Sequence, residues 1–228
     1  MFLGIYNYTT YLTYLNLLSG VFGISFLMNK QINISYATIC LLISGFLDMF
    51  DGVISRLKKN HSSTEKEYGV QIDSLADMIS FGLLPILIGW VLFIKTTYIN
   101  DKPLAYLFWF FAGLYSLTAL IRLAYFNVLA KKEENFENQI FIGIPVTVSS
   151  IIFPLLILSS QILKKQWPNE IATINKYSFV VYFAMIILLS ILFVFNKIKF
   201  KKQKNIIYFL SITLFLITLI FGLIIFKF

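Results

Sequence analysis

Between residues 104 and 128 the chain reads LAYLFWFFAGLYSLTALIRLAYFNV, a run in which Arg122 is the sole charge. A helix of about 20 apolar residues crosses the hydrocarbon of a bilayer, and this stretch is long enough. Six more apolar runs lie near 11–28, 33–52, 72–94, 143–163, 177–195 and 205–226. The composition agrees: of 228 residues, 58% are hydrophobic and 13% charged, with 24 Phe and 13 Tyr. Soluble domains carry about 25% charged residues, and a sphere of this size could not hide so much apolar side chain from water. The expected fold is an all-α integral membrane protein, one domain over 1–228, built as a bundle of about seven transmembrane helices. No length is left for a separate soluble domain, so any chemistry belongs to the helices or their short loops.

The net charge of +8 comes from nineteen Lys and Arg scattered between the apolar runs. It reads as topogenic charge and attraction to anionic headgroups, not as a nucleic-acid surface. Cys40 and His61 each stand alone. That excludes an internal disulfide, a thiolate metal cluster and a His-rich metal site, and it argues against a Ser-His-Asp triad. No GxxxxGK phosphate loop occurs. The first positive charge is Lys30, so the start lacks the charged region of a cleaved signal peptide and is expected to be retained. Placing the polar connector 57–68 on one side of the membrane brings connectors 131–139 and 196–204 with it. Counting Arg56 and Arg122 at adjacent helix ends, that side holds twelve of the nineteen Lys and Arg. The positive-inside rule then sets it, and the N-terminus, in the cytoplasm.

Four of the eleven acids crowd into one short stretch: Asp48 and Asp51 close the second run, and Asp73 and Asp77 open the third. A carboxylate near hydrocarbon costs several kcal/mol unless it is paired, hydrated or bound to a cation. The spacings i,i+3 and i,i+4 put each pair on one helix face, and a loop of ordinary length can bring the two faces together. Hard divalent cations such as Mg2+ or Mn2+ take such oxygen ligands, with substrate phosphates completing the shell, and two of them would clamp a phosphoryl transfer. The plainer alternative is that these acids snorkel at helix ends and pair with Arg56, Lys58 or Lys59. A cation transporter would also place Asp in a membrane, but near the midplane of several helices rather than at two helix ends.

The stretch Asp48-Met-Phe-Asp51-Gly52-Val-Ile-Ser55-Arg56, then Gly69-Val-Gln-Ile-Asp73-Ser-Leu-Ala-Asp77, resembles the CDP-alcohol phosphotransferase signature, DxxDGxxAR followed by GxxxDxxxD. Every charged and glycine position matches; Ser55 stands where the family has Ala. The resemblance implies a six-helix core over about 9–200, to which the run 205–226 adds a C-terminal helix, and a homodimer. It implies that Asp48, Asp51, Asp73 and Asp77 bind a pair of divalent ions holding the diphosphate of a CDP-lipid, and that Asp77 also accepts the proton of the acceptor hydroxyl. By the same resemblance Gly52 and Gly69 let the nucleotide approach the backbone, beside Ser55, and Arg56 supplies a cation to the diphosphate. Thr13 and Asn16 sit where the family's first helix presents polar groups to the nucleotide; capping or interhelical hydrogen bonding is an equal alternative for both. Gly52 and Gly69 also read as helix-packing glycines.

The signature leaves the acceptor open. Arg122-Leu-Ala-Tyr-Phe-Asn127 and Phe141-Ile-Gly143-Ile-Pro145 resemble the RLARFN and FxGLP pieces of membrane-integral phosphatidylserine synthases, with Tyr125 replacing the second Arg and Ile144 the Leu. Serine carries one carboxylate, so one cationic anchor suffices; Arg122 is the candidate, with Asn127 nearby, and a snorkelling helix-end cation is the alternative. The expected reaction joins CDP-diacylglycerol, or an archaeal CDP-archaeol, to L-serine in a prokaryotic cell membrane. The alternative acceptor is glycerol 3-phosphate.

Overall fold

The computed structural model describes residues 4–29, 33–57, 62–132, 140–197, 199–201 and, in the last apolar run, 212–213, 215–216, 218–220 and 222. Helix α1 spans Tyr8–Met28, α2 Ile34–Leu57 and α3 Ser63–Asp77. A π turn over Met78–Leu83 leads into α4, Leu84–Ile94; α5 spans Lys102–Lys132, α6 Ser149–Gln166 and α7 Ile171–Val194. Among the described residues six helices are long and apolar enough to cross a membrane, with α3, the π turn and α4 counting as one rod over Ser63–Ile94. The chain is a multi-pass helical membrane protein. The expected seventh span lies largely outside the described residues. Those of its residues that are described are helical, and the Phe215 ring stacks on Phe46 of α2 at 4.9 Å.

Local chemistry explains where the helices begin. Asn7 caps α1 by accepting from the Thr10 N–H at 3.0 Å, and Thr10 Oγ1 accepts in return from the Asn7 N–H at 3.1 Å. Ser62 and Glu65 repeat the device on α3, at 3.1 and 3.3 Å, which satisfies two helix-end donors that would otherwise lack partners. This cap corrects one expectation. The polar stretch 57–68, read as a connector, is helix on both flanks: α2 runs on to Leu57 and α3 begins at Ser63. The gap between the apolar runs 143–163 and 177–195 shrinks in the same way, because α6 continues to Gln166 and α7 starts at Ile171 after a turn at Pro168–Glu170.

In the bundle α1 packs on α2 and α3, α2 on α6, α5 on α7, and α6 on α7. The interior is aromatic: Phe81, Phe93, Phe108, Tyr115, Phe153, Phe179 and Tyr182 are fully enclosed, with Phe153 stacked on Tyr182 at 4.5 Å. Tyr106, Trp109 and Phe110 of α5 point outward, as expected where lipid rather than water is the solvent.

One element departs from all-helix. Strands β1, Ile140–Ile142, and β2, Lys199–Lys201, pair antiparallel with Phe141 opposite Phe200. The ribbon joins chain beside the 131–139 connector to the 196–204 connector, two segments expected on one side of the membrane. Just beyond β1, Gly143 adopts φ +74°, and a Cβ there would stand 3.3 Å from the carbonyl oxygen of Phe193 at the end of α7. Glycine is required by both the backbone angle and the close approach.

Candidate active site

The two acid pairs meet. Asp48 at the end of the α2 span, and Asp73 and Asp77 in the last turns of α3, each offer a carboxylate oxygen, and these oxygens lie within 4.8 Å of one another. Asp51 flanks them: Thr13 Oγ1 of α1 donates to its Oδ2 at 3.1 Å, and its carboxyl faces that of Asp73. Asn16, fully buried one turn along α1, donates from Nδ2 to Asp77 Oδ1 at 3.1 Å. The backbone carbonyl of Asn16 accepts from Ser44 Oγ of α2 and from Ser80 Oγ of the π turn. Gly20 makes that last contact possible, since a Cβ on it would reach within 2.5 Å of Ser80 Oγ. Thus α1 is wedged between the two acid-bearing helices and hydrogen-bonds to both.

Among the described residues the groups acting on the four carboxylates are one another, Thr13 and Asn16. Asp73 Oδ1 and Asn16 Oδ1 are buried without a hydrogen-bond partner. A set of mutually repelling oxygens with spare lone pairs is what a hard cation satisfies; the donor set fits a divalent metal ion. The pairing of these acids with Lys58 or Lys59 falls on residues outside the described set. So do the side chains of Ser55 and Arg56 and the surroundings of Gly52, three residues that the backbone places in the last turns of α2. Gly69 lies one turn before Asp73, and a Cβ built on it would meet nothing within 4 Å. The space above it is open.

Thr13 and Asn16, expected at the nucleotide, are in direct contact with the acids. Several participants carried no signal in the sequence: Ser44, Ser80, and the hydroxyl pair Tyr14–Tyr68 that bridges α1 and α3 at 2.9 Å. Asn127 of α5 accepts from Ser74 Oγ at 3.0 Å, between Asp73 and Asp77 in sequence. Farther along the same interface Tyr115 Oη donates to the Phe81 carbonyl at 2.9 Å. With α3 and α5 antiparallel, these two contacts bracket Arg122 at the depth of Asp77.

Arg122 is 7% exposed and its Nε has no acceptor. Its guanidinium carbon lies 4.4 Å from the centroid of the Phe126 ring. It lines a cavity of about 220 Å³ with Ile121, Tyr125, Phe126 and residues 193–196 at the end of α7. The residue is buried beside this cavity rather than extended over the surface.

A family model described as CDP-alcohol phosphatidyltransferase matches residues 6–227. The chain belongs to that family. Among its curated relatives, a CDP-diacylglycerol–serine O-phosphatidyltransferase of Mycobacterium leprae is 27% identical over 161 residues, 69% of this chain and 49% of the relative. A protein of the same name from Helicobacter pylori is 29% identical over 165 residues, 69% of this chain and 58% of the relative. One from Bacillus subtilis is 28% identical over 141 residues, 62% and 70%. The chain spans about half the length of the first curated relatives it matches. No solved structure matches it. Within the family frame the acid cluster is the candidate catalytic centre, and the buried Arg122 is a separate cationic feature at the same depth.

Proposed function

We propose that this phosphatidyltransferase moves a phosphatidyl group from CDP-diacylglycerol, or an ether-linked CDP-archaeol, to the hydroxyl of L-serine, releasing CMP. The observation that carries serine as acceptor is Arg122, a buried guanidinium with an unpaired Nε beside a cavity. A buried N–H left without an acceptor costs about 1–3 kcal/mol, and a carboxylate placed there would remove that cost. Serine supplies one carboxylate. A phosphorylated acceptor would call for several converging cations, and Arg122 is the only Lys or Arg lining this cavity among the described residues. The names of the curated relatives support the same acceptor.

Asp48, Asp51, Asp73 and Asp77 would hold the divalent ions, Mg2+ or Mn2+ and two in number. When bound, the ions supply positive charge to the diphosphate and to the departing CMP. Asp77 takes the Asn16 N–H on one oxygen and keeps the other to receive the serine proton. The serine oxygen forms its bond to the lipid-side phosphorus as the bond from that phosphorus to the CMP oxygen breaks. Thr13 and Asn16 orient Asp51 and Asp77 and stand at the nucleotide side. Gly69 leaves the open space for the cytidine, and the family signature assigns Gly52, Ser55 and Arg56 to the same nucleotide and diphosphate. Asn127, through Ser74, holds the acceptor side of α5 against α3. The charge distribution supports a site facing the cytoplasm of a prokaryotic cell, and the family resemblance supports a homodimer.

The test is CMP release from CDP-diacylglycerol by detergent-purified protein with Mn2+ or Mg2+, with L-serine compared with glycerol 3-phosphate. Release with serine alone is expected. Release with glycerol 3-phosphate alone would keep the acid site and discard the assignment of Arg122.

A further inference from the structure

The helix that carries Asp73 and Asp77 does not run straight into the membrane. Immediately after Asp77 it widens into the π turn Met78–Leu83, in which the Leu84 N–H reaches back to the Ile79 carbonyl. A π turn strains the ladder by one extra residue, and such turns persist where something holds them. Pro85 is the next residue. It has no N–H to give to either the π or the α register, so the carbonyl of Phe81, four residues before it, loses its ordinary donor. Tyr115 fills the gap from α5, its hydroxyl donating to the Phe81 carbonyl at 2.9 Å. The Tyr115 side chain is fully buried, wedged against the rings of Phe153 and Phe193. On the opposite side Ser80 ties the same turn to the Asn16 carbonyl, and the Asn16 amide holds Asp77.

From this chain of contacts we infer that Tyr115 is a positioning residue for the acid cluster: by holding the π turn open behind Asp77, it sets where the Asp77 carboxylate points. The inference rests on the proposed reading of the acids as a cation site. Tyr115 touches neither an acid nor any expected position of substrate. Its effect passes through Phe81, Ser80 and Asn16. Without the hydroxyl, the Phe81 carbonyl is buried and short of a donor, and the turn relieves this by shifting register. Asp77, the residue next to the turn, then moves relative to Asp48 on α2.

The test uses the full-length protein and Tyr115→Phe, which keeps the ring and its packing and removes only the hydroxyl. Mn2+ affinity, read by electron paramagnetic resonance on detergent-purified protein without lipid substrate, is expected to weaken by about 10-fold, the order found when a metal site loses an outer hydrogen bond. In the CMP assay kcat is expected to fall by a similar factor while both KM values hold. Pro85→Ala provides the second arm. It restores an N–H to the helix, so the π turn can close without Tyr115, and adding Tyr115→Phe to it should then cause no further loss of Mn2+ affinity. Wild-type Mn2+ affinity and kcat in Tyr115→Phe, with or without a lowered melting temperature, would overturn the inference, as would strict additivity of the two substitutions. Inactivity of the wild-type protein with every acceptor would instead strike the proposed reaction and leave the Mn2+ measurements to judge Tyr115.

Discussion

Asp77 takes one hydrogen bond, from Asn16, and otherwise faces other carboxylates. Carboxylates this close repel when ionised, so the cation-free protein must either bear that repulsion or take up protons at this cluster. Asp77→Asn keeps the oxygen that Asn16 binds and removes the charge. In chelator its melting temperature should rise by about 3 °C, the shift that roughly 1 kcal/mol produces in a chain of this size. Its CMP release should fall about 10³-fold, the scale of a lost general base; thermal denaturation and the CMP assay check both. Arg122 behaves oppositely, since its buried Nε–H has no acceptor and a bound carboxylate would supply one. Arg122→Ala should raise the serine KM by about 10- to 100-fold, the worth of a charge-assisted hydrogen bond, and leave the CDP-lipid KM unchanged. Equal rises in both constants would remove Arg122 from the acceptor site.

Among the elements, α1 does more than span the bilayer. Its polar residues Thr13 and Asn16 recur at i,i+3, so they share a face, and that face points at α2 and α3 rather than at lipid. The end of α7 plays a comparable part for the ribbon, because its carbonyls gather around Gly143 at φ +74°. Gly143→Ala combines an unfavourable left-handed backbone with a Cβ pressed on the Phe193 oxygen. The expected loss is about 1–3 kcal/mol of stability, read as a lower melting temperature with Mn2+ affinity unchanged, since the acids lie on other helices. The helix starts were legible at this scale. Ser62-Ser-Thr-Glu65 is a capping box in plain sequence, and it marks the start of α3 inside the polar stretch 57–68.

For the molecule as a whole, a cation held by the acid cluster would couple its binding to folding. The carboxylates that would hold the ion come from α2 and α3, and α1 is bonded to both, so an ion in the cluster ties three helices together. Any ligand that binds the folded state alone stabilises it by RT ln(1 + [L]/Kd), about 2.7 kcal/mol at 100 times Kd. Mn2+ should therefore raise the melting temperature of the wild-type protein in proportion to the logarithm of its concentration, and chelator should reverse the rise. The same titration on Asp48→Ala should be flat. A wild-type melting temperature indifferent to Mn2+ and Mg2+ alike would show that the cluster holds no such ion.

The sequence by itself determined what depends on near neighbours. Runs of apolar residues set the membrane helices, and the spacings of Asp48 with Asp51 and of Asp73 with Asp77 put each pair on one face. Tertiary structure decided which faces meet. Thr13 reaches Asp51 across 38 residues of chain and Asn16 reaches Asp77 across 61; no local period encodes either pairing. The same holds for Arg122, whose unpaired Nε is a property of its burial beside α7 and cannot be read from the charge alone. It holds again for the π turn, where Pro85 is visible in the sequence but the hydroxyl that answers it comes from Tyr115, 34 residues beyond Phe81. A helix can be read from its own residues because its hydrogen bonds close within four positions, whereas a site between helices is fixed by how their side chains pack.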